Sequence, residues 1–240
     1  MPERFDPFES PLQHGELIKR YKRFLADIRL DDGSVVTAHC PNSGSMLGMR
    51  EPGSEVLVRH VPDPGRKLKW TWELVKPLDA DCWVGCNTQR PNQVAEWAIT
   101  RGVVPGLSAA VGLRREVPYG KNSRIDLLLG GEGSRLTYVE VKNTTLARDD
   151  LALFPDAVTA RGTKHMDELA AMVGAGHRAV VLFFVNRADT MRFDVAWDID
   201  PTYGAAFDRA LDAGVEALPL GMDVAADGWR VRGVLPYVPG

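Results

Sequence analysis

Residues 137–146, "TYVEVKNTTL", alternate two opposite charges with valines. Side chains two residues apart share a face of a β-strand, so Val139 and Val141 face one way while Glu140 and Lys142 face the other. A carboxylate and an ammonium on one strand face have two explanations. Either the face is exposed and the pair simply solvates it, or the two side chains belong to a metal site.

The preceding strand supplies a second carboxylate. In "SRIDLLL", residues 123–129, Asp126 is the acidic residue, and the short connection "GGEGSR" makes this strand and the next one neighbours that place Asp126 across from Glu140. Two close carboxylates repel unless a cation lies between them. Oxygen ligands suit Mg²⁺ or Mn²⁺ better than zinc. We therefore predict Asp126 and Glu140 as metal ligands and Lys142 as a catalytic residue that orients or deprotonates a water aimed at phosphorus.

Two helical residues are candidates to complete such a site. Glu96, in "VAEWAI", can bind the metal directly or through water, or it can lie on the polar side of an amphipathic helix. Lys164, in "RGTKHMDEL", opens a helix whose positive end favours phosphate, although it can also pair with Glu168 four residues later. We predict Glu96 and Lys164 as catalytic contributors. His165 can be a capping-turn or a core histidine.

The first third of the chain has the pattern of a small β-barrel. From residue 15 to about 86 it contains several short strands without a helical period, separated by proline and glycine clusters, and "DDG" (31–33) is a hairpin turn. An OB-like barrel over residues 1–86 is our first choice. The strand "RFLADIRL" is expected to place four apolar residues on one face, namely Phe24, Ala26, Ile28 and Leu30.

The remainder, residues 87–240, is predicted to be a mixed α/β domain. "NTQRPNQVAEWAITRG" has an early proline, an apolar stripe and a terminating glycine, as a helix does. Three strands, a helix, the apolar strand "RAVVLFFV", a further helix and a last β stretch follow. The predicted fold class is α+β, with an N-terminal OB-like β-barrel followed by a C-terminal mixed α/β domain.

Two basic segments make the barrel a candidate nucleic-acid-binding domain. "KRYKRF" (19–24) and "RKLKW" (66–70) mix cations with aromatics, which suits phosphates and stacked bases, whereas the alternative is a solvated strand edge. The net charge of −3 argues against such a partner, but local patches decide more than bulk charge. The predicted nucleic-acid-binding residues are Lys19, Arg20, Lys22, Arg23, Arg66, Lys67 and Lys69.

Composition and the remaining motifs exclude several classes of protein. Hydrophobic residues make up 45% and charged residues 25% of the chain, as in soluble globular proteins. No apolar run approaches the ~18 residues of a membrane span, and the first residues show no signal-peptide core. The three cysteines (Cys40, Cys82 and Cys86) cannot all pair within one chain and indicate a reducing cytoplasm, and Cys82 and Cys86 are predicted to be packing residues. "LLLGGEGSR" lacks the Lys-Ser/Thr of a P-loop.

Several segments together resemble the sugar fermentation stimulation protein family. They include "TAHCPNSGSM", "WVGCNTQRPN", "NSRIDLLL", "YVEVKNTTL" and "FPDAVTARGTKH", and the likeness runs from about residue 12 to 220. The resemblance implies an N-terminal OB-type domain joined to a domain of the PD-(D/E)XK nuclease superfamily. It also implies DNA binding without marked sequence preference and a regulatory link to sugar use, particularly of maltose.

By position, the resemblance assigns residues to that superfamily's motif. The metal-binding acidic residue falls on Asp126, and Glu-x-Lys falls on Glu140, Val141 and Lys142, with the carbonyl of Val141 as a further metal ligand. The first-helix glutamate matches Glu96. Lys164 matches less well, since the superfamily often has glutamine there. Resemblance of fold does not settle activity, so a Mg²⁺-dependent nuclease and a non-catalytic DNA-binding regulator both stay open.

Overall fold

The structure is a computed structural model that describes residues 4–8, 10–131 and 133–240. Its first part is built of short strands. In chain order they are β1 (Leu12–Tyr21), β2 (Leu25–Leu30), β3 (Val35–His39), β4 (Glu55–His60), β5 (Trp70–Lys76) and β6 (Val84–Gly85).

These strands form a closed barrel. β1 pairs with β2 and β4, β2 pairs with β3, and β4 pairs with β5, all antiparallel, while a parallel contact between β3 and β5 closes the ring. The interior is filled by apolar side chains and two thiols, among them Leu17, Ile28, Val58, Trp72, Cys40 and Cys86. The five-stranded barrel confirms the predicted OB-like fold, and Cys86 is buried as predicted, whereas Cys82 is half-buried.

One residue of the predicted barrel face lies elsewhere. Ala26, Ile28 and Leu30 are buried as predicted, but Phe24 is 47% exposed. Lys22 and Arg23 adopt positive φ angles in the turn before β2, so Phe24 precedes the strand and does not follow its alternation. Its ring stacks on His39 at 6.5 Å instead.

The second part contains three helices and the remaining strands. The helices are α1 (Arg90–Thr100), α2 (Ala160–Gly174) and α3 (Pro201–Asp212). The strands are β7 (Leu113–Tyr119), β8 (Ser123–Leu129), β9 (Thr137–Thr144), β10 (Leu146–Arg148), β11 (Leu151–Phe154), β12 (Arg178–Val185), β13 (Arg192–Val195), β14 (Glu216–Ala225) and β15 (Gly228–Val234).

A six-stranded mixed sheet, β15-β14-β12-β9-β8-β7, organises this part. β9, β12 and β14 are parallel and the outer pairs are antiparallel. The apolar side of α1 packs on one face of the sheet, and α2 and α3 pack on the other. The predicted order of elements is confirmed, and the structure adds β15 and the small sheet β10-β11-β13. No helix in the described ranges is both long and apolar enough to cross a bilayer.

A buried ionic cluster joins the barrel to α1. Glu73 of β5 is fully buried and accepts hydrogen bonds from Arg59, Arg90 and Asn87. Because Arg90 opens α1, the barrel fixes where that helix begins. The boundary predicted between residues 86 and 87 lies in this junction, between β6 and α1.

Candidate active site

The pairing of β8 with β9 brings the two predicted carboxylates together. The antiparallel ladder pairs Leu127 with Val139, so the next positions, Asp126 and Glu140, lie opposite each other where the ladder ends. There the Oδ2 atom of Asp126 accepts a hydrogen bond from the backbone N–H of Val141 at 2.7 Å. The Asp126 side chain thus serves as the hydrogen-bond acceptor for a backbone N–H of β9 at the end of the β8–β9 ladder.

Asp126 has a second partner on α1. The amide Nδ2 of Asn92 donates to Asp126 Oδ1 at 2.8 Å. Burial and the negative charge of Glu140 nevertheless raise the pKa of Asp126 to about 6, against the two hydrogen bonds, which lower it. The hydrogen bonds to Asp126 therefore do not fully offset the cost of placing its negative charge in a buried position beside Glu140.

Glu140 is more deeply buried, with 3% of its surface exposed. Its Oε1 atom accepts a hydrogen bond from Nζ of Lys142 at 2.8 Å and another from Nδ1 of His165. Burial alone would raise the pKa of Glu140, but the bond from His165 and the charge of Lys142 outweigh it and hold that pKa below its usual value. Its Oε2 atom is buried and has no hydrogen-bond partner among the described residues.

His165 links this strand to α2. It is buried, and its Nε2 atom accepts from Nε of Arg161, one turn earlier on the helix, at 3.3 Å. The tautomer with its proton on Nδ1 satisfies both this bond and the one to Glu140. His165 therefore holds the Glu140 carboxylate in a fixed orientation.

These groups open into a cavity of about 390 Å³. It is lined by Thr88, Pro91, Asn92, Asp126, Glu140, Val141, Lys142, Asn143, Arg161 and His165. The described residues hold no cluster of three or more histidine, cysteine or acidic side chains arranged for a metal. Two carboxylates and a backbone carbonyl are nevertheless a donor set that a hard divalent cation accepts. The unpartnered Oε2 of Glu140 fits such an ion, because buried acceptors rarely lack a partner.

The predicted catalytic residues do not all meet in this cavity. Lys142 lines it. Glu96 forms an ion pair with Arg115 of β7 at 3.3 Å and lines a separate cavity beside Phe5 and Trp97. Lys164 lines a neighbouring cavity, where it pairs with Glu168 at 3.5 Å as the alternative interpretation anticipates. The metal and catalytic roles of all these residues stay predictions.

Sequence reasoning assigned no role to three side chains of the cavity that position the two carboxylates, directly or through one another. Asn92 lies one turn before Glu96 on the same face of α1 and reaches Asp126, whereas Glu96, predicted to bind the metal directly or through water, does not line this cavity. His165 was left open between a capping and a core role. Arg161, four residues before it, shares its helix face, and this spacing is the signal that connects the two.

The barrel's basic residues gather at one end. Lys22 and Arg23 lie in the turn between β1 and β2, beside the end of β3, where Cys40 N–H donates to the carbonyl of Phe24 at 2.8 Å. His39, Arg66 and Lys67 line a cavity of about 270 Å³ at the same end. The other predicted residues carry local contacts: Lys19 to Asp27 at 3.5 Å, Arg20 to the carbonyl of Asn42 at 2.8 Å, and Lys69 to that of Asp63 at 2.5 Å. Their role in binding nucleic acid stays a prediction.

The loop after β3 brings the barrel to the cavity. Thr88, a residue of the cavity wall, donates from its hydroxyl to the carbonyl of Pro41 at 2.9 Å. Ser45 donates to Asp156, just before α2, at 2.7 Å. The barrel loop is therefore hydrogen-bonded to the wall of the cavity and to the segment before α2.

Comparison with known proteins agrees with this architecture. Residues 18–86 match the model of the SfsA N-terminal OB domain, and residues 89–228 match that of the sugar fermentation stimulation protein RE domain. A homologue from Rhodospirillum centenum is 54% identical over 223 residues, which cover 92% of this chain and 94% of the relative. One from Ruegeria pomeroyi is 48% identical over 229 residues, covering 95% and 99%. Both relatives are named sugar fermentation stimulation protein homologues.

A solved structure has the same fold. That of Pyrococcus furiosus SfsA in complex with Ca²⁺ superposes with a TM-score of 0.85 at 24% identity and covers 99% of each chain. The barrel, the mixed sheet and the three helices therefore recur in a distant relative. With two matching domain models and relatives near 50% identity, the chain belongs to the sugar fermentation stimulation protein family.

Proposed function

We propose that this protein is a DNA-binding phosphodiesterase that depends on Mg²⁺ or Mn²⁺, with a site of the PD-(D/E)XK type. The observation that carries the proposal is the paired arrangement of Asp126 and Glu140. Glu140 Oε2 is buried without a partner, and Asp126 has a raised pKa. A cation between them removes both penalties. That the Pyrococcus furiosus relative was solved in complex with Ca²⁺ supports a divalent ion.

The residues divide into roles. Asp126, Glu140 and the carbonyl of Val141 would hold the ion, which when bound neutralises charge on the phosphate and acidifies water. Lys142, 2.8 Å from Glu140, is placed to orient the attacking water and to stabilise charge on the substrate. His165 and Asn92 keep the two carboxylates in position. In this proposal Glu96 takes no part in the reaction, because it lines a separate cavity.

The substrate side of the proposal rests on the cations of the barrel. Lys22 and Arg23 are exposed at one end, and the loop that Arg20 holds through Asn42 leads from there to the cavity. A nucleic-acid backbone is the polyanion that such a surface fits, and we propose DNA bound largely without sequence preference. All three cysteines are free thiols, which supports a location in the reducing cytoplasm.

The second candidate function is a non-catalytic, DNA-binding regulator linked to sugar and maltose use. The ion pair of Lys142 with Glu140 favours it, because an ammonium already paired with a carboxylate is less available to activate a water. Both functions use the same surface, so only turnover separates them.

The test is nicking of supercoiled plasmid by the purified full chain, with Mg²⁺ or Mn²⁺ and with chelator. Glu140→Gln is the test variant, and Asp223→Asn, an exposed carboxylate on β14, is the matched control. Nicking by wild type and control that requires metal and is lost in Glu140→Gln supports the phosphodiesterase. Retardation of plasmid without nicking by any of the proteins would leave the regulator as the function.

A further inference from the structure

A second cavity adjoins the metal cavity. It has a volume of about 320 Å³, and Arg161 and His165 line both cavities, so the two share a wall. Three cationic side chains converge on the second cavity: Arg124 from β8, and Arg161 and Lys164 from α2. Nothing in the proposed chemistry at Asp126 and Glu140 uses Arg124 or the space that it faces.

The two arginines at this cavity have no acidic partner in the part of the chain that the structure describes. Arg124 donates to the backbone carbonyl of Glu116 at 2.9 Å, and Arg161 donates to His165 at 3.3 Å. Neither guanidinium forms an ion pair with a carboxylate among the described residues. Lys164 donates to the carbonyl of Lys121 at 2.5 Å and to the hydroxyl of Ser123 at 3.1 Å, and it pairs with Glu168 at 3.5 Å.

The charges leave the cavity positive. Among the described residues that line the cavity, Glu116 is the only one with a carboxylate, and it is exposed. Arginine stays charged at any physiological pH and offers forked donors that match a phosphate group. Two such forks facing one cavity, with the partly compensated ammonium of Lys164 at its wall, are therefore a site for a tetrahedral oxyanion.

We propose that this cavity is a phosphate subsite, which binds the phosphate that neighbours the one attacked at the metal cavity. The inference rests on the proposed function for its substrate, a nucleic-acid strand, and it changes the role of one residue. Lys164 contacts a phosphate that does not react, and it is not a partner of the attacking water. The shared wall of Arg161 and His165 sets the spacing between the two phosphates.

The test measures phosphate binding in chelator, where no cleavage occurs. Inorganic phosphate is titrated into the full chain and followed by the rise in melting temperature or by calorimetry. Arg124→Gln and Lys164→Gln are the test variants. Arg114→Gln is the control, because Arg114 is exposed on the neighbouring strand and lies outside the cavity lining. Melting curves without phosphate verify that each variant folds.

We expect phosphate to bind wild type and Arg114→Gln equally, and to bind each test variant about tenfold more weakly, since each loses a charge-assisted hydrogen bond. Equal affinity in all four proteins would overturn the subsite. Short single strands with a 5′-phosphate or a 5′-hydroxyl then identify the source of the phosphate. A preference for the 5′-phosphate that Lys164→Gln removes indicates a strand end, and equal binding of both strands, weakened in both by the substitution, indicates an internal phosphate.

The two proposals fail separately. Phosphate binding that depends on Arg124 and Lys164, without metal-dependent nicking, would refute the phosphodiesterase and leave the subsite. Metal-dependent nicking, together with phosphate affinity that is the same in wild type and in both test variants, would refute the subsite alone.

Discussion

The Asp126 carboxylate accepts a hydrogen bond from the N–H of Val141 at 2.7 Å, directly after the last ladder pair of β8 and β9. This contact fixes Asp126 beside the backbone of the strand that carries Glu140. Two acidic side chains thereby share a partly buried cavity with one ammonium, that of Lys142.

The arrangement predicts a stability gain when Asp126 is replaced by asparagine. In the folded protein the pKa of Asp126 is raised to about 6, so the folded state favours the protonated form. Ionisation above that pH therefore costs stability, whereas below the ordinary carboxyl pKa both states are protonated. In chelator at about pH 8 we expect Asp126→Asn to be more stable than wild type by about 2 kcal/mol. The difference should shrink to near zero at about pH 4.

Urea unfolding at the two pH values measures this difference. Asp223→Asn, which changes an exposed carboxylate, should follow wild type at both. A variant less stable than wild type at about pH 8 would show that the carboxylate is already well compensated without metal.

Asn92 is predicted to support metal binding without ligating the metal. Asn92→Ala removes the 2.8 Å hydrogen bond to Asp126, so the ligand loses its orientation. Loss of such a supporting contact lowers metal affinity about 10- to 100-fold. Calorimetric titration with Mn²⁺ measures it, with Thr100→Ala, an exposed residue on the same helix, as the control. Unchanged affinity in Asn92→Ala would contradict this role.

The buried Glu73 is predicted to stabilise the junction between barrel and α1. Glu73→Gln removes the carboxylate with which Arg90 pairs in a buried position. Breaking a buried ion pair from one side costs about 3 to 5 kcal/mol. Chemical unfolding of the variant measures the loss. Glu16→Gln, which breaks the exposed pair with Arg29, should change stability by about 1 kcal/mol or less, and equal effects of the two substitutions would refute the prediction.

The barrel turn is predicted to contact the DNA backbone. The double variant Lys22→Gln and Arg23→Gln removes two exposed charges. If both contact phosphates, the slope of log affinity against log salt concentration should fall by about 2. Fluorescence anisotropy with a labelled duplex at several salt concentrations gives the slope. Arg29→Gln, an exposed arginine already paired with Glu16, is the control, and an unchanged slope in the double variant would place DNA elsewhere.

Local pattern was enough to predict the barrel, the order of the second domain and the facing of Asp126 and Glu140. Strand alternation is a short-range property, and a short connection between two strands makes antiparallel neighbours. The side-chain faces of residues 137–146 follow directly: Val139 and Val141 pack with α1, while Glu140 and Lys142 face α2.

What the sequence did not reveal depends on how elements pack. The rotation of α1 against the sheet decides that Asn92, not Glu96, reaches Asp126, and no periodicity encodes that angle. His165 has a role only because α2 packs against β9. Phe24 was misplaced because Lys22 and Arg23 adopt the left-handed conformation without a glycine to signal it.

The proposed function depends on a divalent-metal centre formed by Asp126, Glu140 and the carbonyl of Val141. Anomalous scattering from a crystal soaked in Mn²⁺ tests it most directly, because it locates the ion independently of any assay. We expect one strong peak in the cavity, within coordination distance of both carboxylates, that is absent in Glu140→Gln. A peak elsewhere, or a cavity without a peak at saturating Mn²⁺, would contradict it.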